Sequence, residues 1–456
     1  MPIVRAGLAL ARLHFNSALG SMKTFYRLLF YLALTSILHA EKSDVAGSEA
    51  QRARISLGEI TSEVLAKNPA IQQALKKWAA ARARVTQEAA WDDLRVSGTS
   101  RAARFVDVAP NAFTDQMVSV EQAIPITGKN LVRARIAVAN VVTAFEQARR
   151  EQLDVLAKTR DSYFRLLNAY AQLELNRKNL LSLRQIAEVS RSRYEVGKAN
   201  AADALAGEVE ASKLLESEQD ILRSISAEQS QLNVLMNRDA FAALAEPEEA
   251  QIKPLHLSME QVRAIALTNR PEIKIAQAKI DMERSRLGLA RRDWIPDPAI
   301  KVEAQRYNDA AQAASEVDAG ISFTVPWVNP GKYSAAVREA KENLAAAQHE
   351  FDFTSAEALG ALRDALEKVH TMKHHVDLFR DKLVPQARQA FEANQFGYET
   401  GKATFLEWIT AQRNLRDLEA MSQQHSADYH TALAELEAVV GADLNLFPSS
   451  NPKERK

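Results

Sequence analysis

The chain has 456 residues with 58 basic and 58 acidic side chains, so it lacks the net charge needed to coat a nucleic acid or an anionic bilayer. It contains no cysteine, which excludes disulfides, thiolate metal sites, a thiol nucleophile and an acylated N-terminal cysteine. Only 15 Gly and 14 Pro interrupt a composition dominated by Ala, Leu, Glu, Gln, Arg and Lys, and that bias favours long helices.

Lys23 and Arg27 precede the apolar run Leu28 to Leu38, after which His39-Ala40 gives way to the charged Glu41-Lys42-Ser43-Asp44. That order reads as a secretory signal over residues 1–40, with Met22 a more natural start than Met1. An N-terminal periplasmic segment follows at 41–55. No later run of about 18 uninterrupted apolar residues exists, so no helical membrane span is expected in an exported chain.

Landmarks in residues 56–240 recur in residues 258–443 at a spacing of about 203, which marks a tandem duplication. Asn68-Pro69 is answered by Arg270-Pro271, each separating a short helix from a new one. Ile124-Pro125-Ile126-Thr127-Gly128-Lys129 is answered by Val325-Pro326-Trp327-Val328-Asn329-Pro330-Gly331-Lys332. Tyr194-Glu195-Val196-Gly197-Lys198 is answered by Tyr398-Glu399-Thr400-Gly401-Lys402. Residues 241–257, with Pro247 and Pro254, link the repeats, and 444–456 form a C-terminal tail.

Each repeat reads as helix, two strands, a very long helix and its return. Strands are expected over 94–107, 115–126, 299–307 and 316–327. Val317, Ala319, Ile321, Phe323, Val325 and Trp327 alternate with Asp318, Gly320, Ser322 and Thr324, giving one greasy face and one polar face. Ile300, Val302 and Ala304 alternate with Lys301, Glu303 and Gln305, and Val118 and Val120 with Ser119 and Glu121. An outer-membrane barrel needs this pattern, with Trp327 at the interface, and a water-soluble sheet packed on helices would also satisfy it.

From Lys129 to Arg193 there is neither Pro nor Gly. About 65 residues at 1.5 Å each make a rod of ~100 Å. Leu166, Leu173 and Leu180 repeat in sevens, as do Leu156, Tyr163 and Tyr170, and the returning helices carry Leu215, Leu222 and Met236, then Leu415, Tyr429 and Leu436. Sustained sevens imply antiparallel supercoiled packing. Four strands cannot close a barrel, since the smallest membrane barrels use about eight, so the chain is expected to oligomerise around its free edges.

The duplicated order of Pro-initiated helices, Trp294-Ile295-Pro296-Asp297-Pro298, the two Pro-to-Gly-Lys strand exits and the paired Tyr-x-x-Gly-Lys tips resembles the TolC family of outer-membrane efflux proteins over residues 56–443. The resemblance implies a mainly α fold with a membrane β-barrel part: a homotrimer giving four strands per protomer to a twelve-stranded barrel, with long antiparallel helices forming a periplasmic tunnel. It implies outer-membrane lipid around the barrel, a periplasmic adaptor (membrane fusion protein) and an inner-membrane transporter. The strand exits look most like the heavy-metal branch, whose transporters are proton-driven, so divalent cations are the expected cargo; drug efflux and type I secretion are the alternatives within the fold.

In the family the glycine turns are adaptor-docking tips, which points to Val196, Gly197, Lys198, Thr400, Gly401 and Lys402. The resemblance also places a periplasmic gate at Asp203, Tyr398 and Glu407, with Asp203 latched to Tyr398 and Glu407 in an acidic ring. Two positions depart from the pattern: Thr410 stands where a further acid belongs and Ala403 where the latch has a base. A soluble periplasmic coiled-coil structural or adaptor protein is the rival reading from another class.

His370 and His374 lie one turn apart, with His375 beside them and His425 and His430 on the returning helix; solvated histidines on an amphipathic helix account for these, and no metal site is expected. There is no G-x-S-x-G, phosphate-cradling glycine loop, HExxH or CxxC, so neither an enzyme nor a cofactor is expected.

Overall fold

The computed structural model describes residues 54–101, 115–252, 254–307 and 314–444, which all fall in the unit Ala53–Lys456. The signal region and the C-terminal tail beyond Leu444 lie outside the described residues, as do 102–107 of the first expected strand.

Each repeat opens with the same device. Ser56 and Glu59 form a capping box at the start of α1 (Leu57–Lys67), and Ser258 with Gln261 does so for α5 (Met259–Asn269). Proline then starts the next helix at its first position, giving α2 (Pro69–Ala89) and α6 (Pro271–Arg292). The Asn68 side chain caps α2 by accepting from the amides of Ala70 and Ile71, and its own amide donates to the Leu235 carbonyl at 2.9 Å.

The strands β1 (Arg95–Arg101), β2 (Asp115–Ala123), β3 (Pro298–Tyr307) and β4 (Ala314–Phe323) form one antiparallel sheet in the order β1-β2-β3-β4. The central β2–β3 pair joins the two repeats, so β1 and β4 are left as free edges. Register puts Val96, Val120, Val302 and Ala319 in one row and Val118, Ala304 and Val317 in the next, on the same face. Ser97, Ser119, Glu303 and Asp318 share the other face, where the Ser97 and Ser119 hydroxyls are 2.8 Å apart and Lys301 pairs with Glu303. The apolar face is bare: Val317 is 72% exposed and Ile321 71%. That bareness removes the reading of a sheet packed on helices. The fourth strand ends earlier than the alternation suggested. Pro326 cannot donate to a ladder, and Pro326–Val328 form a 3-10 turn that carries Trp327 beyond the strand.

Beyond the sheet run α3 (Lys129–Glu195, 67 residues) and its return α4 (Ala201–Leu235). In the second repeat α7 (Pro330–Leu378) passes through a π turn at Phe379–Leu383 into α8 (Val384–Glu399), and α9 (Phe405–Val440) returns. The π turn has a local cause. Pro385 has no amide, and just before it the Val384 amide reaches back to the Phe379 carbonyl, widening the helix by one residue.

Buried Leu166, Leu173 and Leu180 run down α3, and Leu415, Tyr429 and Leu436 down α9, as the sevens predict. Leu215 and Leu222 depart from that expectation, at 46% and 38% exposed. Among the described residues no neighbouring helix buries these two side chains. The inter-repeat linker is tied down: Ile55 bridges Pro247 in parallel, and the Tyr163 hydroxyl donates to the Glu248 carbonyl at 2.9 Å. Burial pushes the Tyr163 phenol up to about 12. No helix among the described residues is long and apolar enough to cross a membrane.

Candidate functional site: the paired helix tips

The far ends of the long helices reverse through two turns built alike. At the first, the Gly197 amide donates to the Tyr194 carbonyl and the Lys198 amide to the Arg193 carbonyl. At the second, Gly401 donates to Tyr398 and Lys402 to Gly397. Both are Schellman motifs, which require a left-handed residue after the helix cap. Gly197 (φ 73°) and Gly401 (φ 76°) supply it without the strain of a Cβ. The returning helices start three residues on, at the caps Asn200 and Thr404.

One side chain ties the tips together. Arg193, in the last turn of α3, donates to the carbonyls of Tyr398 (2.5 Å) and Glu399 (3.0 Å), and its guanidinium stands 4.7 Å from the Tyr398 ring centre. A cation on the free carbonyls at a helix end is favoured by the helix dipole. Arg193 was not singled out by sequence reasoning, because its repeat counterpart is Gly397 and duplication therefore gives no hint. Val196 and Lys198 lie with Thr400 and Gly401 around one shallow groove between the tips, and Lys402 stands exposed beside it.

The three residues expected at a gate lie in different environments. Tyr398 is 4% exposed, stacked on Trp408 at 5.1 Å and edge-on to Phe405, and its hydroxyl donates to Ser190 Oγ at 3.4 Å. Within one chain the partners of Tyr398 are thus the aromatic rings and Ser190. Asp203 is half-buried in the first turn of α4. Glu407 completes a capping box with Thr404, whose amide (2.7 Å) and hydroxyl (2.9 Å) both donate to Oε2. Those two bonds hold the Glu407 carboxyl below the usual carboxylate range.

Farther along α4, Glu210 is 3% exposed and accepts from Lys213 (2.7 Å) and Arg413 (2.8 Å), with Arg416 at 3.9 Å. Burial works to raise its pKa, but the Lys213 and Arg413 bonds outweigh it and the carboxyl titrates low. At the other end of α3, the Thr127 amide and hydroxyl donate to Asp297 at 3.0 and 2.7 Å, and Lys129 lies 3.3 Å from it. Here too burial opposes ionisation and the Thr127 and Lys129 bonds prevail. Both clusters join residues of different repeats.

Of the histidines, the structure pairs His375 with His425, rings 4.9 Å apart, and stacks His430 on Phe164 at 4.4 Å. Among the described residues no group of three His, Cys, Asp or Glu is placed to hold a metal ion.

The alkaline protease secretion protein AprF of Pseudomonas aeruginosa is 24% identical over 332 residues, covering 70% of this chain and 68% of its own. The cobalt-zinc-cadmium resistance protein CzcC of Cupriavidus metallidurans is 24% identical over 308 residues, covering 65% and 70%. The solved structure of the outer membrane protein VceC from Vibrio cholerae superposes with a TM-score of 0.71 at 16% identity, covering 85% of this chain and 96% of that one. The outer membrane efflux protein profile matches residues 60–238 and 262–442, each span one of the two repeats, and the chain belongs to that family of outer-membrane channels.

Proposed function

We propose that the chain is one protomer of a trimeric exit duct, three sheets closing a twelve-stranded barrel in outer-membrane lipid while the long helices form a tunnel through the periplasm. The observation that carries this reading is the bare apolar face of a sheet with two free edges, joined to a helix of 67 residues. Lipid covers such a face, and copies of the chain cover such edges. The duct is passive and takes its cargo from a periplasmic adaptor and an inner-membrane transporter, proton-driven in the metal branch.

The adaptor docks at the groove between the Gly197 and Gly401 tips, with Val196, Lys198, Thr400 and Lys402 as contacts. Glu407, held ionised by Thr404, and Asp203 place negative charge at the entrance, where repulsion and cation attraction both act in a narrow pore. Tyr398 restrains the same end from inside the protomer through Arg193. Divalent metal is the cargo favoured by the Pro-to-Gly-Lys exits and by the likeness to a cobalt-zinc-cadmium resistance protein, and protein secretion is the second reading, favoured by the likeness to a protease secretion protein.

The test of the duct is fractionation: the full chain sediments with outer membranes, resists carbonate and runs as a trimer when unheated. Release into the soluble periplasm overturns it. For the entrance, Asp203→Ala and Glu407→Ala trimers in planar bilayers show raised conductance and weaker cation preference; values equal to the parent remove both from the gate. For cargo, a deletion strain becomes sensitive to divalent metals, and sensitivity to drugs alone with normal metal tolerance removes the metal reading.

A further inference from the structure

The clasp of Thr127 and Lys129 on Asp297 closes the corner where β2 passes into α3 and β3 begins, just beyond the Ile124 amide bond to the Pro298 carbonyl (2.8 Å). The duplication makes a second copy of each half of this clasp. Pro125 and Pro326 are 201 positions apart (326 − 125), and Asp93 and Asp297 are 204 apart (297 − 93). Each offset is fixed by that alignment, and the hairpin registers agree with the sum of the two. Arg95 faces Glu121 in the first hairpin, and adding 204 and 201 gives Ala299 and Ser322, which face each other in the second. So β4 is the counterpart of β2 and β1 of β3.

Inside one chain those counterparts never meet, because β4 and β1 are the opposite edges of the sheet. Lys332, which follows Gly331 as Lys129 follows Gly128, is exposed beside β4, and Asp93 is exposed beside β1. Among the described residues neither makes an ion pair; Lys332 only stands 5.6 Å from the ring of its neighbour Tyr333. We propose that β4 of one chain pairs with β1 of a second copy in the register of β2 with β3, and that Lys332 then closes on Asp93 of the partner subunit.

This inference rests on the oligomeric duct and adds its joint. Carrying the β2–β3 register across places Ser322 opposite Ser97 of the partner subunit and Phe323 opposite Val96 of the partner subunit. The apolar face thereby runs unbroken over the seam, whereas a slip by one residue would bring Phe323 against Ser97 of the partner subunit. The Val325 amide repeats the last rung, donating to the carbonyl of Leu94 of the partner subunit. The Thr127 part is not repeated. The second exit has two extra residues, and the position matching Thr127 is Pro330, with neither amide hydrogen nor hydroxyl. Of the clasp, then, only the lysine is repeated at the seam.

A chain without cysteine makes the test direct. Glu121 and Lys301 lie three residues from the bonded Ile124–Pro298 pair, an odd number that makes them a narrow non-hydrogen-bonded pair, and so is the Ser322 pair that copies them, with Cα atoms about 4.5 Å apart. That separation lies within the disulfide range. In outer membranes from cells making the full chain, Ser322→Cys with Ser97→Cys gives a reducible covalent ladder under mild oxidant, and Ser322→Cys with Gly98→Cys gives none. Separately, Lys332→Glu or Asp93→Lys lowers by several degrees the temperature at which the unheated trimer dissociates in detergent, and the double exchange restores it. A trimer that fails to cross-link at Ser322 and Ser97 overturns the register and the ion pair together. Cross-linking with a double exchange as weak as the single variants overturns the ion pair and leaves the duct standing. A parent chain that never runs as a trimer overturns the duct and this joint with it.

Discussion

The Arg193 guanidinium stands 4.7 Å from the centre of the Tyr398 ring and donates to the Tyr398 carbonyl, so a residue of the first repeat holds the last turn of a helix in the second. Within a protomer this one side chain couples the two tips. Arg193→Ala removes both carbonyl bonds and a cation–π contact worth about 0.5–2 kcal/mol. Amide exchange over residues 396–402 should accelerate, and trimers in bilayers should open more often. Arg193→Lys keeps the charge but not the planar fork, and recovers only part of the effect. Unchanged exchange in Arg193→Ala would detach the tips from one another.

Glu210 offers a sharper stability test, because it is buried between three cations. Removing it leaves Lys213 and Arg413, 60% and 44% exposed and able to turn to water, so the loss is that of the hydrogen bonds to a charged carboxylate, about 1.5–3 kcal/mol. Glu210→Ala should lower the melting temperature clearly, while Arg413→Ala costs less because Lys213 still satisfies the carboxylate. Equal effects of the two substitutions would show that Glu210 is not the hub.

How much of this was legible in the sequence follows from range. The duplication, the long helices and the glycine tips rest on local pattern and spacing, and Gly197 and Gly401 turned out to terminate their helices by the same bonds. Strand ends were less legible: β4 stops at Phe323 although alternation continues to Trp327, because periodicity does not register the missing amide of Pro326. The clusters at Arg193, Glu210 and Asp297 each join residues of different repeats, and which repeat faces which is decided by helix packing and the β2–β3 register. Tyr398 shows the same limit, since the burial that sends its hydroxyl to Ser190 comes from Trp408 and Phe405 on the returning helix.

The two faces of the sheet give opposite expectations for one kind of substitution. Val302 lies on the bare apolar face and Gln305 on the polar one. An arginine on the lipid face of a membrane strand costs about 2–4 kcal/mol at mid-depth and far less in the lumen. Val302→Arg should therefore cut the amount of heat-labile trimer in outer membranes severely, and Gln305→Arg should leave it near the parent level while altering ion selectivity. Comparable yields of both would mean that lipid does not contact the apolar face.

Close approach of α3 and α4 below the tips sets a further limit. A Cβ built at Gly207 would lie 3.0 Å from the Ala187 Cβ and 3.1 Å from its Cα, and neither can swing away. Gly207→Val forces the hairpin apart and should cost about 1–3 kcal/mol by overpacking. Gly288, with nothing near its Cβ direction, is the control in another helix: Gly288→Ala should stabilise slightly through helix propensity. Thermal melting of the two variants in opposite directions checks the pair, and destabilisation by both would point to backbone effects rather than to contact with Ala187.

His430 ties stability to pH. Burial against Phe164 lowers its pKa to about 4, and its Nε2 has no hydrogen-bond partner among the described residues. The unfolded chain takes up a proton on this residue near pH 6.5, whereas the folded chain resists until about pH 4. Stability is therefore full above the unfolded pKa and falls as pH drops from about 6.5 to about 4, by about 3 kcal/mol over the whole window. His425, lowered by burial and then by His375, acts in the same sense, whereas Glu228, raised by burial, acts in the opposite one. Glu63 and Glu210 titrate low, so their contribution is lost only below the ordinary carboxylate range. The difference between the parent and His430→Phe isolates the one residue: the variant should lose less melting temperature between pH 7 and pH 4.5. Parallel melting curves for the two proteins over that interval would place the pH dependence elsewhere.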